Sequence, residues 1–323
     1  MDSSPGSVRI LSIDFARAFD KILHSGILQA ARKFQLPTEA VLWIESFLSN
    51  RFQRVSIRGK CSSWQSVTSG VPQGSVVGPL LFSMFVDDLN SVFDNSSTIK
   101  YADDLTILHF VRVPSDDKLQ LEYENVLRWS TSRSLPINES KCRVLNITTK
   151  KSLVVSPVQG PIGCLPQVSS MSLLGVTLTC DMKWNTHVET VVKKACKRLY
   201  LIRNLRSSGC PSAQMLQVYN SIIRSVFLYA YPSFCNLPKF LQEKLLRFER
   251  RVFRIVGGMN EVTVMEAAEE VCQRLFTTVT SMKDHPLRQC FLQRRTITRA
   301  SMQLRPPKAK TKRFSSSFIR FAR

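Results

Sequence analysis

Apolar positions along this chain follow two regimes. Up to about residue 187, short apolar runs alternate with segments of helical spacing. Val8–Asp14 reads as a largely apolar strand ending in a carboxylate, and Ser25–Phe34 and Thr38–Ser49 read as helices parted by Pro37, with Thr38 as N-cap. Phe52–Ile57 and Trp64–Thr68 have strand composition around a Gly-Lys-Cys-Ser-Ser turn. A Gly- and Pro-rich loop, Ser69–Gly74, leads into an apolar helix from Ser75 to Leu89. Thr98–Tyr101 and Leu105–Phe110 flank Ala102-Asp103 as a hairpin. Asp116–Ser134 has helical spacing, with Leu119, Tyr123, Val126, Leu127 and Ser130 on one side. Arg143–Thr148 and Ser172–Leu178 are further strands. Beyond residue 187 only helices are predicted: Asn185–Arg206, Ser212–Tyr229, Lys239–Val256 and Asn260–Thr280. The stripe Leu216, Tyr219, Ile223, Val226 and Tyr229 reads as their core.

Charge follows the same division. The chain of 323 residues carries a formal charge of +21. Residues 1–187 hold 19 basic and 16 acidic side chains, residues 188–285 hold 15 and 8, and residues 286–323 hold 11 and none. This gradient suits a polyanion-binding surface in the C-terminal half and a loose basic tail. The nine cysteines show no zinc spacing and read as reduced thiols. With no signal peptide and no apolar run near membrane-spanning length, a soluble intracellular protein of the cytoplasm or nucleus is expected, with no membrane partner.

Three segments carry candidate chemistry. A lone strand-end carboxylate such as Asp14 serves equally well as a helix or turn cap. Asp103-Asp104 differs, because a tight turn between apolar strands holds two like charges together, and such a pair calls for cations. Mg²⁺ suits carboxylate oxygens, and two such ions can serve an in-line phosphoryl displacement. Asp87-Asp88 and Asp116-Asp117 are also paired, but they sit at helix ends and read as terminal or surface carboxylates. The third segment, Ser69-Gly70-Val71-Pro72-Gln73-Gly74-Ser75, combines glycines that admit a close ligand with an amide that donates and accepts.

In order and spacing, Asp14-Phe-Ala-Arg-Ala-Phe-Asp20, Ser69–Ser75 and Tyr101-Ala-Asp-Asp104 resemble motifs A, B and C of reverse transcriptases, in the wording of non-LTR (LINE-type) retrotransposons. Leu127–Leu145, with Trp129, Leu135, Asn138 and Lys141, is similar to motif D. Leu174-Gly175-Val176 with Trp184 and His187 is similar to motif E, the primer grip. The resemblance implies an α/β fold: an α+β palm with an antiparallel catalytic hairpin (residues 1–187, right-hand polymerase architecture), an all-helical thumb (188–260) and a C-terminal extension (261–323). It implies RNA-directed DNA polymerase activity on an RNA template, a DNA primer and dNTPs; protein partners stay unknown. Asp14 and Asp103 would hold two Mg²⁺ ions, with Mn²⁺ as a substitute, assisted by Asp104 and the Phe15 carbonyl. Phe19 would be the steric gate against ribonucleotides, and Gln73 and Gly74 would line the nucleotide. Lys141 would protonate pyrophosphate. Leu174 and Gly175 would position the primer end. Lys193, Lys194, Lys197 and Arg198 would clamp the nucleic-acid backbone.

Only 13 residues precede Asp14, with Arg9 the single arginine among them. The fingers of such an enzyme are therefore expected to be missing, as in an N-terminally truncated element, and weak polymerisation or none is expected of the isolated chain. The alternative is a catalytically silent nucleic-acid-binding remnant.

Overall fold

The computed structural model describes residues 6–148, 155–258 and 262–288, and the chain divides into two compact units, one ending at Met171 and one starting at Ser172. The first unit is an α+β layer built on β1 (Ser7–Asp14). After β1 come α1 (Ala18–Lys21), α2 (His24–Lys33) and α3 (Thr38–Leu48). The short strands β2 (Arg51–Gln53), β3 (Ser56–Ile57), β4 (Lys60–Cys61) and β5 (Gln65–Val67) precede α4 (Gly78–Phe85). The hairpin β6 (Ser96–Tyr101) and β7 (Asp104–Val111), then α5 (Leu119–Ser132), β8 (Arg143–Thr148) and β9 (Gln167–Val168) complete it. The sheet runs β6-β7-β1-β8-β9, antiparallel throughout except for the β8–β9 pair. β1 is the middle strand, and the burial of Ser7–Leu11 and Ile13 shows that both of its faces are covered. Leu11, Ile13, Leu105 and Ile107 join side chains of α2–α5 in one core.

Three expected boundaries shift. Thr38 is the first helical residue and not the cap; Pro37 occupies that position, its fixed φ suiting a helix entry. The helix after the Gly-Pro loop begins at Gly78 because Ser75 Oγ accepts the Gly78 N–H (3.1 Å) and donates to the Pro72 carbonyl (2.6 Å), making residues 75–77 its entry turn. It ends by Phe85, and Lys100 Nζ donates to the carbonyls of Val86 (3.2 Å) and Asp87 (2.7 Å) just beyond. Ser172–Leu178 is not one strand but parts of two, β10 (Ser170–Leu173) and β11 (Val176–Thr179), which turn at Leu174-Gly175.

The second unit is helical apart from that hairpin. It contains α6 (Asn185–Ser207), α7 (Ser212–Val218), a π turn over Tyr219–Arg224, α8 (Ser225–Leu228), α9 (Lys239–Val256) and α10 (Val264–Ser281). The hairpin belongs here because β11 packs on α6, where the Thr177 N–H donates to His187 Nδ1 (3.2 Å). The stripe expected as core is buried at Tyr219 and Ile223 and partly buried at Leu216 and Val226, but Tyr229 is exposed. The helix ends at Leu228, where the Tyr229 N–H donates to the Ser225 carbonyl (3.0 Å), and the Tyr229 side chain reaches back to the hairpin instead. Two buried charged groups anchor α10: Glu249 accepts from Tyr219 Oη (2.9 Å) and the Val264 N–H (2.9 Å), while Arg224 donates to the carbonyls of Val262 (2.7 Å) and Thr263. The tail expected beyond residue 288 lies outside the described residues. No helix among the described residues is long and apolar enough to cross a membrane.

One carboxylate of each helix-end pair is an internal anchor, Asp88 and Asp117, while Asp87 is exposed as a surface charge. Asp88 accepts from Trp129 Nε1 (2.9 Å) and pairs with Arg133. Asp117 takes both oxygens to Arg9 Nη1 (2.8 and 2.6 Å), and Arg9 is only 1% exposed, its other donors reaching Asn146 Oδ1 (3.1 Å) and the Ser156 carbonyl (2.7 Å). Removing one member of a buried pair strands the other charge. Asp117→Ala should therefore lower unfolding free energy by about 3–5 kcal/mol in a denaturant titration. Asp116→Ala, whose neighbours use only the Asp116 backbone, should stay within about 0.5 kcal/mol of the parent. Equal effects would refute the ion pair as an anchor.

Candidate active site

The sheet brings two remote carboxylates into register. β1 pairs with β7 so that Asp14 stands opposite Asp104, and Tyr101 faces Asp104 across the β6–β7 hairpin. A two-residue turn, Ala102-Asp103, closes that hairpin, with Ala102 at φ 51°. Asp103 and Asp104 are exposed and Asp14 is half-buried, so the cluster opens to solvent at one end of the central strands. Burial first, then the charges of Asp103 and Asp14, push the Asp104 carboxyl above its ordinary value. The three side chains thus feel one another.

Lys141 stands beside this cluster, its Nζ 3.5 Å from Asp14 Oδ2. The segment that carries it is fixed by backbone bonds. The Asn138 N–H donates to the Asp14 carbonyl (2.7 Å), and the Ala16 N–H donates to the Pro136 carbonyl (2.7 Å), bridging Phe15 and Ile137. That bridge uses the flanking groups and leaves the Phe15 carbonyl outside it. The donor set, all hard oxygens with mutually repelling charges, fits divalent cations of the Mg²⁺ kind. Among the described residues, however, no three His, Cys, Asp or Glu side chains are gathered into a ready-made metal cage.

The Gly-rich loop is locked onto the turn after β1. The Val71 N–H donates to the Phe19 carbonyl (2.8 Å) and the Gly70 N–H to the Ile22 carbonyl (2.8 Å). Gly70 has φ 84°, and a Cβ there would lie 2.8 Å from the carbonyl oxygens of Phe19 and Asp20, so only glycine permits this approach. Phe19 is partly buried and packs against Phe82 with ring centroids 4.8 Å apart. Gln73 and Gly74 are exposed, and Gln73 Nε2 donates to Asp20 Oδ1 (2.8 Å). Asp20, quoted in the motif but given no role, is thus the group that orients Gln73. A carboxylate accepts only, which directs the Gln73 NH₂ toward it.

In the second unit, Leu174 (φ 46°) and Gly175 (φ 82°) form the β10–β11 turn, with positive φ at both central positions as a type I′ turn requires. The Tyr229 hydroxyl donates to the Leu174 carbonyl (2.8 Å), and its ring lies 3.1 Å from where a Gly175 Cβ would be. Helical periodicity cannot reveal a tyrosine that leaves its helix to pin a hairpin. Lys193, Lys194 and Lys197 are exposed on α6. Arg198 is half-buried and donates to the Ile222 carbonyl, so its fork is engaged within the unit and is not free like the three lysines.

Comparison with known proteins gives a consistent result. Residues 1–178 match the family model "Reverse transcriptase (RNA-dependent DNA polymerase)". The RNA-directed DNA polymerase from mobile element jockey of Drosophila melanogaster is 30% identical over 258 residues, covering 73% of this chain and 27% of that protein. The Pol polyprotein from type-1 retrotransposable element R2 of Popillia japonica is 22% identical over 224 residues, covering 60% of this chain and 36% of that protein. Telomerase from Candida tropicalis, solved with a fragment of telomeric RNA, overlaps 89% of this chain and 49% of its own at TM-score 0.44 and 11% identity, too slight a likeness to argue from. The chain spans roughly a quarter of the length of the curated relatives it matches first. Its family model covers more than half of it, and the chain belongs to the reverse transcriptase family, among relatives from non-LTR retrotransposons.

Proposed function

We propose that this chain is the RNA-directed DNA polymerase core of a non-LTR retrotransposon, extending a primer 3′-hydroxyl with dNTPs on an RNA template. The observation that carries the reading is the Asp14–Asp104 register with Asp103 at the adjoining turn. Asp14, Asp103 and Asp104, with the Phe15 carbonyl, would hold two Mg²⁺ ions, for which Mn²⁺ could substitute. Bound there, the metals would supply charge neutralisation for the attacking oxygen and the leaving pyrophosphate.

The chain's own residues do the remaining work. The β1–β7 ladder holds the carboxylates at fixed register. Lys141, whose Nζ pairs with Asp14, would give a proton to a departing phosphate oxygen. Phe19, packed on Phe82, would exclude a ribose 2′-hydroxyl with its ring. Gln73, oriented by Asp20, and Gly74 line the nucleotide, while the Leu174-Gly175 turn supports the primer end and Lys193, Lys194 and Lys197 offer phosphate contacts. Arg198 serves less directly, since its guanidinium is spent on Ile222.

Primer extension on an RNA template with Mg²⁺ tests the reading. Product that vanishes in Asp103→Asn supports it, whereas template binding without product in the parent chain returns the protein to a silent nucleic-acid binder. Phe19→Val should raise ribonucleotide incorporation by roughly ten- to a hundredfold; unchanged sugar selectivity would make Phe19 a core side chain only. Asp20→Ala should raise KM for dNTP about tenfold with a smaller change in kcat, and Asp20→Asn should recover part of it. A fall in kcat alone would sever Asp20 from Gln73.

A further inference from the structure

The strands between α3 and the Gly-rich loop form a feature that the polymerase reading does not use. β2 pairs with β5 (Arg51↔Val67) and β3 with β4 (Ser56↔Cys61), and the Ser62 N–H donates to the Val55 carbonyl (2.9 Å) between them. Together they make one two-stranded arm closed by Arg58-Gly59, both at positive φ. Every residue from Phe52 to Ser66 is exposed. Phe52 (63%), Val55 (62%), Ile57 (66%) and Trp64 (59%) are largely exposed. An isolated two-stranded arm is marginally stable at best, and a contiguous exposed apolar patch marks a binding surface.

Charge decides the occupant. Arg51, Arg54, Arg58 and Lys60 lie on the arm, and no acidic residue occurs between Glu45 and Asp87. The Arg54 guanidinium lies 4.6 Å over the Trp64 ring, so cation and aromatic face form one platform. An apolar protein surface would bury these cations without counter-charge, at high cost. Nucleic acid supplies both phosphates and flat base faces. A duplex hides those faces within its stack, so the fit is to an unpaired strand. We propose that the Arg51–Val67 arm docks single-stranded nucleic acid, with bases stacking at Trp64 and Phe52 and phosphates meeting the arm's cations. The site lies outside the carboxylate cluster, and binding there needs no turnover.

The test is fluorescence anisotropy of the full chain carrying Asp103→Asn, without Mg²⁺ or dNTP, on a labelled unpaired RNA, the same sequence as DNA, and the duplex. Trp64→Ala with Phe52→Ala should weaken single-strand binding at least about tenfold and leave duplex binding and the salt slope unchanged. Trp64→Phe should keep most of the affinity. Arg58→Gln with Lys60→Gln should flatten the slope of log affinity against log salt by about 1.4 on the single strand. RNA and DNA losses of equal size identify an unpaired strand of either sugar; loss on RNA alone narrows the ligand to RNA. Unchanged affinity in the Trp64/Phe52 variant, or equal loss on duplex, overturns the proposal, as does loss of self-association in that variant with nucleic-acid binding intact. Extension by the Asp103-intact chain is measured separately, so failure of catalysis and failure of the arm are distinguishable.

Discussion

A strand register sets Asp14 opposite Asp104, with Asp103 at the adjoining turn, and the packing of the first unit holds that constraint. Like charges about 4 Å apart repel by about 1 kcal/mol in water and about 4 kcal/mol at the effective dielectric of a protein surface. The raised Asp104 pKa is the local sign of that repulsion. What opposes it is the sheet: Leu11, Ile13, Leu105 and Ile107 are all nearly fully buried on the same paired strands, and each such side chain contributes about 1.5–3 kcal/mol. Sliding β7 against β1 by one residue would relieve the charges but turn that apolar set outward. Packing therefore wins over electrostatics, and the cluster is left wanting positive charge.

Around the cluster, backbone hydrogen bonds do the positioning. Asn138 and Ala16 tie the Lys141 segment to the end of β1, while Val71 and Gly70 tie the Gly-rich loop to Phe19 and Ile22. Main-chain bonds of this kind tolerate side-chain change, provided the glycine at Gly70 keeps the approach open. A side chain refines the result at Asp20 on Gln73, and within the second unit Tyr229 acts in the same way on the Leu174 carbonyl. Both act through hydrogen bonds of 2.8 Å to groups that the motifs had already singled out.

Much of this was legible in the residues. The strand before Asp14, the hairpin around Ala102-Asp103 and the helix Lys239–Val256 follow directly from periodicity, because each buries one regular face or pair of faces. What periodicity missed were features set by partners distant in sequence. Arg9 looks like a stray surface cation until Asp117 is placed beside it, and the π turn at Tyr219–Arg224 has no compositional marker. Tyr229 fits a helical stripe by spacing, yet the helix stops one residue before it. Arg198 shares its pattern with three lysines, but the planar fork reaches a carbonyl where an ammonium would stay solvated.

Charge is arranged with opposite logic at the centre and elsewhere along the chain. The carboxylate cluster lies in the portion whose basic excess is slight, while residues 188–323 carry most of the +21. The field of such cationic stretches is long-ranged at low salt and faint beyond about 10 Å at 0.1 M. At the end of β1 and β7 the sign is reversed, with Asp14 opposite Asp104. An anionic ligand at such a centre would need small cations between the two. A protein using one sign throughout could bind nucleic acid, but it would have no acidic centre at which to gather the metals that phosphoryl transfer needs.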